Sequence, residues 1–147
     1  MKSSYYLLIL LFCSFIVTGC NKDDDRNNSS RVPNVPTDQI ININLPSYNA
    51  LSNVGGFAYV QGGSRGIVVY RLSQDQFAAF DRHCTYQVSE GCTIEVDEGT
   101  FAIDEECCES VFEIINGTPV EGLAQRPLLQ YNTQFNPNAN TLRIFNQ

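Results

Sequence analysis

From residue 39 to the end of the chain, apolar positions recur in short runs broken by glycine, proline and asparagine, with no convincing helical period. Ile40-Ile41-Asn42-Ile43-Asn44-Leu45 alternates apolar with polar from Ile41 onward, the period of a strand with one buried face, and Pro46 ends it. Gly55-Gly56 predicts a turn, Phe57–Val60 a second strand, and Gly62-Gly63-Ser64 a loop. Residues 66–72 (GIVVYRL) are apolar and β-branched, which predicts a strand inside the core. After Ser73-Gln74-Asp75, residues 76–81 pair back on it as a hairpin. Residues 110–115 alternate into the turn dipeptide Asn116-Gly117. Residues 128–133 and 142–145 predict a closing hairpin around residues 136–140. Short strands with regular turns give an all-β, antiparallel sandwich or partly closed barrel. Phe57, Tyr59, Val68, Tyr70, Phe77, Phe80, Phe112 and Tyr131 are expected in its core and cross-strand pairs.

The first residues follow another pattern. Lys2 precedes an apolar run from Tyr5 to Val17, too short to span a bilayer as a mature helix and typical of a secretory leader. Val17-Thr18-Gly19-Cys20 resembles the lipobox of bacterial lipoproteins, which is cut before the cysteine. The resemblance implies a signal peptide over residues 1–19 and a lipidated Cys20 that holds the protein to a membrane through acyl chains. Asn21-Lys22-Asp23-Asp24-Asp25 resembles the export signal that places Bacteroidetes-type lipoproteins on the outer face of the outer membrane; the alternative is an outer-membrane lipoprotein on the periplasmic face. Residues 20–38 are polar, contain two prolines and show no apolar period, the composition of a flexible tether. The expected organisation is therefore leader, tether, and a β domain over residues 39–147.

Charge and cysteine usage narrow the function. The 147 residues carry a formal charge of -7, which argues against nucleic acid and anionic lipid surfaces as partners. No Lys or Arg occurs between Arg82 and Arg126, while ten acidic residues lie there. The same stretch holds the only histidine, His83, and the four cysteines that survive removal of the leader and lipidation: Cys84, Cys92, Cys107 and Cys108. Outside the cytosol such cysteines form lasting disulfides. Their spacing, Cys-x7-Cys-x14-Cys-Cys, matches neither a ferredoxin nor a zinc ribbon, so no metal site is expected. Glu105, Glu106 and Glu109 disfavour a reactive thiolate beside Cys107 and Cys108, which weighs against thiol–disulfide oxidoreductase chemistry. No nucleophile, base and orienting group come together, and no catalytic residue is named. Four cysteines allow three pairings. A Cys107–Cys108 bond requires a strained vicinal ring, and the residues alone leave the two cross-loop pairings open.

Residues 56–145 resemble the Rieske-type domains. The resemblance is carried by Ala79-Phe80-Asp81, the box Cys84-Thr85, the box ending Ser110-Val111-Phe112, Gly117, Gly122, Arg126-Pro127-Leu128 and Tyr131. It implies an all-β domain with two cysteine-bearing loops. In that family the loops clasp a [2Fe-2S] cluster through one Cys and one His each. Placed residue by residue, the four ligand positions fall on Cys84, Tyr86, Glu105 and Cys108, and Glu109 replaces a turn glycine. Two imidazoles are required and the chain has one His, which precedes Cys84 instead of following it. The expectation is a domain without a cofactor, acting as a stapled binding or accessory module with a protein partner and not as an enzyme. A [2Fe-2S] electron-transfer protein is the alternative. In the respiratory members of that family each loop carries a further Cys, and these two form a disulfide. By the same placement, Cys84 and Cys108 converge as ligand positions while Cys92 and Cys107 fall near that disulfide. The resemblance thus implies Cys84–Cys108 and Cys92–Cys107.

Overall fold

The computed structural model describes residues 31–97, 99–104 and 107–146. Among the described residues, ten strands form three antiparallel sheets. β1 (Asp38–Asn42), β10 (Thr141–Phe145) and β9 (Asn132–Asn136) make the first, in the order β1-β10-β9. β2 (Phe57–Val60), β3 (Ile67–Arg71) and β4 (Phe77–Asp81) make the second, as consecutive hairpins. The third holds β5 (Glu95–Asp97), β6 (Phe101–Asp104), β7 (Ser110–Glu113) and β8 (Pro119–Glu121), again in chain order.

The β2-β3-β4 sheet is the shared layer. Val68, Tyr70, Ala78 and Phe80 point to one core, together with Ile94, Ala102, Phe112 and Ile114. Ile67, Val69, Phe77 and Ala79 point to the other, with Ile41, Leu142 and Ile144. A strand covered on both faces gains nothing from alternation, which is why residues 66–72 read as continuously apolar. Two sandwiches thus share one middle sheet, and the chain is all-β.

Several predicted boundaries move. β1 begins at Asp38, before the alternating run, because its ladder with β10 starts at the Asp38–Phe145 pair. Ile41 and Ile43 are buried as the alternation requires, but Leu45 is half exposed and leads into a 3-10 turn over Pro46–Ser52 that the sequence reading lacked. That turn buries Leu51. Thr37 is already buried, and its backbone N–H donates to Asn146 Oδ1 at 2.9 Å, so folded contacts begin before residue 39.

The closing hairpin also shifts. Residues 128–133 were expected to form its first strand, yet β9 starts at Asn132. The preceding segment is bonded to β4 instead: Asp81 N–H donates to Leu129 O at 2.8 Å, and Tyr131 N–H to Ala79 O at 2.9 Å. Leu128 and Tyr131 are buried one in each core, so this segment closes both sandwiches rather than lying in a single ladder.

The acidic stretch supplies two strands, β5 and β6, that its sequence concealed. Charges occupy the outward positions, Glu95 and Asp97, while Ala102 packs inward. Tyr59 is a further correction. It is exposed rather than core, because its ring covers Arg82 with the guanidinium carbon 4.0 Å from the ring centre. Its hydroxyl accepts the Val96 N–H at 2.9 Å, and Arg82 Nε donates to Ile94 O at 2.9 Å. These bonds attach β5 to the middle sheet.

Candidate functional site

β4 delivers the chain from the core to the first cysteine loop. Its last residue, Asp81, is fully buried although it carries a carboxyl group. Oδ1 accepts N–H groups of Arg65 (3.2 Å) and His83 (2.9 Å), while Oδ2 accepts Ser64 N–H (2.6 Å) and the Tyr131 hydroxyl (2.8 Å). The Gly62-Gly63-Ser64 loop is thus wrapped around a carboxylate, which satisfies the charge that burial would otherwise penalise. Gly63 has φ +63°, and a Cβ there would lie 2.5 Å from both Asp81 Oδ2 and the Tyr131 hydroxyl oxygen, so only glycine fits. Burial raises the Tyr131 pKa well above the ordinary tyrosine value, and the bond to Asp81 raises it further.

His83 is buried beside this carboxylate. Nε2 lies 2.9 Å from Val88 O, and Nδ1 lies 2.8 Å from Ser64 Oγ. A carbonyl only accepts, so Nε2 carries a proton; in the neutral ring, Nδ1 then accepts from the Ser64 hydroxyl. Both ring nitrogens are therefore occupied by the protein. Ser64 and His83 form a nucleophile-and-base pair by distance alone, but the neighbouring Ser64 and Arg65 amides are held by the Asp81 carboxylate. Those two amides are therefore not available to an oxyanion.

Beyond His83 the cysteines converge. Cys84 is bonded to Cys108, with the Cα atoms 6.5 Å apart, and Cys92 to Cys107, with the Cα atoms 5.8 Å apart. Cys84 and Cys108 are completely buried, whereas Cys107 is exposed. Tyr86 is half-buried against the same core, and its N–H points at Cys84 Sγ at 3.4 Å. Of the four positions that the Rieske resemblance assigns to ligands, Glu105 lies outside the described residues, as does Cys20. Cys84 and Cys108 spend their sulfurs on each other, Tyr86 is a phenol, and His83 is turned onto Ser64 and Val88. A [2Fe-2S] centre of this type needs two thiolates and two imidazoles, and these residues do not fit it.

Beside this disulfide lies a cleft of about 440 Å³, walled by residues 85–89 on one side and by Leu123, Gln125 and Arg126 on the other. Cys84 opens the first wall. The second hangs from the two residues after Cys108: Ser110 Oγ accepts the N–H groups of Leu123 (3.1 Å) and Ala124 (3.0 Å), and Gly122 lies against the backbone of Glu109. Ser110 Oγ itself donates to Cys108 O at 2.8 Å. Across the top, Thr85 Oγ1 donates to Arg126 O at 2.7 Å. The walls are thus joined below by a covalent bond and above by a hydrogen bond.

Two residues in this region are left-handed without being glycine: Gln87 (φ 45°) in the first wall and Glu109 (φ 44°) beneath the second. Sequence reasoning missed the cleft, the Asp81 hub and the Ser64–His83 pair. The available signal was an aspartate ending the otherwise apolar FAAFD strand, since a carboxylate carried into the core must find several donors.

No family model matches the chain, and no curated protein sequence matches it. Several solved structures overlap it, two of them as follows. One is a complex of reduced oxygenase and oxidised ferredoxin in carbazole 1,9a-dioxygenase, at 19% identity and TM-score 0.46, covering 62% of this chain and 81% of that one. The other is assigned as an NADH-dependent nitrite reductase small subunit from Mycobacterium tuberculosis, at 12% identity and TM-score 0.44, covering 78% of this chain and 98% of that one.

Proposed function

We propose that the chain is a membrane-anchored lipoprotein whose Rieske-like domain has lost its iron–sulfur cluster and works as a disulfide-stapled binding or accessory module. The observation that carries this reading is the Cys84–Cys108 bond. The two cysteines that stand at ligand positions are joined to each other, and both are buried. Covalent closure takes over the task that iron performs in the family, namely holding two loops in register. The loops then present a pre-formed cleft. Cys20 anchors the chain, and the Lys22-Asp23-Asp24-Asp25 run directs it to the outer face of the outer membrane. Disulfides persist in that location.

The test is an iron and sulfide assay with thiol counting on aerobically purified protein. Colourless protein, under about a tenth of an iron per chain and no free thiol at Cys84 or Cys108 support the reading. Stoichiometric iron and sulfide, with absorption between about 400 and 600 nm, overturn it in favour of electron transfer. Cys20→Ala should release the protein from the membrane fraction; retention of that variant defeats the anchor.

A further inference from the structure

Among the described residues, the β5-β6-β7-β8 sheet is packed on one face only. Val96, Ala102 and Phe112 point into the core shared with the middle sheet, so their neighbours along each strand point outward. Register sets those outward side chains in two rows: Glu95, Ile103, Val111 and Glu121 in one, Asp97, Phe101 and Glu113 in the other. Phe101, Ile103 and Val111 thus form an apolar centre on the two inner strands, and Phe101 is 45% exposed. Carboxylates bracket this centre on both sides. Glu121 is exposed on β8, and Glu95 on β5 keeps a side chain 78% exposed although Arg82 stands 3.3 Å away. Glu113 accepts an N–H from the neutral Asn116 amide, which leaves its charge in place. Residues 84–125 contain Asp and Glu but no Lys or Arg, so this stretch supplies no cation of its own.

We propose that this face docks a basic amphipathic helix of a partner protein. An apolar centre inside a polar rim is the anatomy of a docking site. The dimensions suit a helix laid along β6 and β7. Phe101 and Ile103, two residues apart on one strand, are separated by about 7 Å, close to the rise of about 6 Å between positions i and i+4 of a helix. The outer strands β5 and β8 stand about 14 Å apart, and a helix with its side chains is about 10–12 Å wide. Lys and Arg on the flanks of such a helix reach Glu95 on one side and Glu121 on the other. The same charges select against other occupants. A second copy would set carboxylate against carboxylate, and an anionic bilayer would be repelled.

This inference rests on the binding-module reading, but the face shares no residue with the cleft lining, so the two can fail separately. The isotopically labelled full-length protein carries Cys20→Ala, so that no acyl chain takes up the probe. It is titrated with an amphipathic leucine–lysine helix about four turns long. Saturable shifts are expected in the backbone amide signals of Phe101, Ile103, Val111 and Glu121. A leucine–glutamate version of the peptide should leave them unmoved, and a lysine oligomer of equal charge should bind at least about fivefold more weakly. Glu121→Lys and Phe101→Ser should each weaken the leucine–lysine peptide about fivefold or more, the first through charge and the second through apolar contact. Shifts spread over the rest of the surface, equal binding of the lysine oligomer, or full affinity in either variant would each overturn the proposal. So would binding of phosphatidylglycerol vesicles by this face, or self-association through it. Iron with visible absorbance would defeat the cluster-free reading and leave the face untouched. A silent titration on colourless, disulfide-bonded protein defeats the face alone.

Discussion

His83 and Cys84 are neighbours in the chain that serve different structures: the imidazole joins Ser64 to Val88, and the sulfur joins Cys108 in the adjoining core. Successive side chains on extended backbone leave in opposite directions, so a single dipeptide step takes the chain from a buried polar hub to a covalent one. The hub orders the Gly62-Gly63-Ser64 loop, and the disulfide orders the cleft. Consequences for stability can be assigned separately.

Removing the Cys84–Cys108 bond as Cys84→Ala with Cys108→Ala frees a loop of 24 residues in the unfolded chain. The expected loss is about 3 kcal/mol, with an added packing cost because both sulfurs are buried. Cys92→Ala with Cys107→Ala frees a loop of 15 residues, and Cys107 is exposed, so that loss should be the smaller. Urea unfolding of the two double variants checks the order. The opposite ranking refutes it.

Glu109→Gly should stabilise the protein by about 1 kcal/mol. Its φ of 44° is costly for glutamate and free for glycine, and the gain is trimmed by the greater freedom of glycine in the unfolded chain. A variant less stable than the parent in thermal unfolding would show that the Glu109 side chain contributes more than its backbone costs.

Asp81→Ala leaves the Ser64, Arg65 and His83 N–H groups and the Tyr131 hydroxyl facing an empty, buried space. Stranded donors make this change expensive, about 3 kcal/mol or more. Denaturant unfolding gives the value, and a loss under about 1 kcal/mol would mean that water reaches the site.

Tyr131 fixes the alkaline side of the stability profile. Its folded pKa is raised, by burial first and by Asp81 second. The folded state therefore holds the phenolic proton more tightly than the unfolded chain does. The resulting stabilisation is complete below the ordinary tyrosine value near 10 and is lost as pH rises above it. Between pH 9 and 11, in the range of that ordinary value, the parent should lose stability more steeply than Tyr131→Phe, measured by urea midpoints. Parallel slopes would contradict the assignment.

The parts of the protein written locally were legible from the residues. β2, β3 and β4 follow from apolar runs bounded by glycine and polar turns, and in β3 and β4 burial on both faces leaves a plain compositional mark. That the chain has one histidine where a Rieske-type centre takes two is a matter of inventory and needs no coordinates. β5 and β6 were hidden because a three- or four-residue strand with charges outward carries too few apolar positions to announce a period. Residues 128–131 were misplaced because an apolar run specifies burial but not the neighbour that receives its hydrogen bonds, here β4. The pairing of the cysteines was open to the residues alone; in the structure Cys84 joins Cys108 and Cys92 joins Cys107. The Asp81 hub and the cleft belong wholly to tertiary structure. Each joins residues far apart in sequence, Asp81 with Tyr131 and Thr85 with Arg126, and a distance between two side chains exists only once the sheets between them have packed.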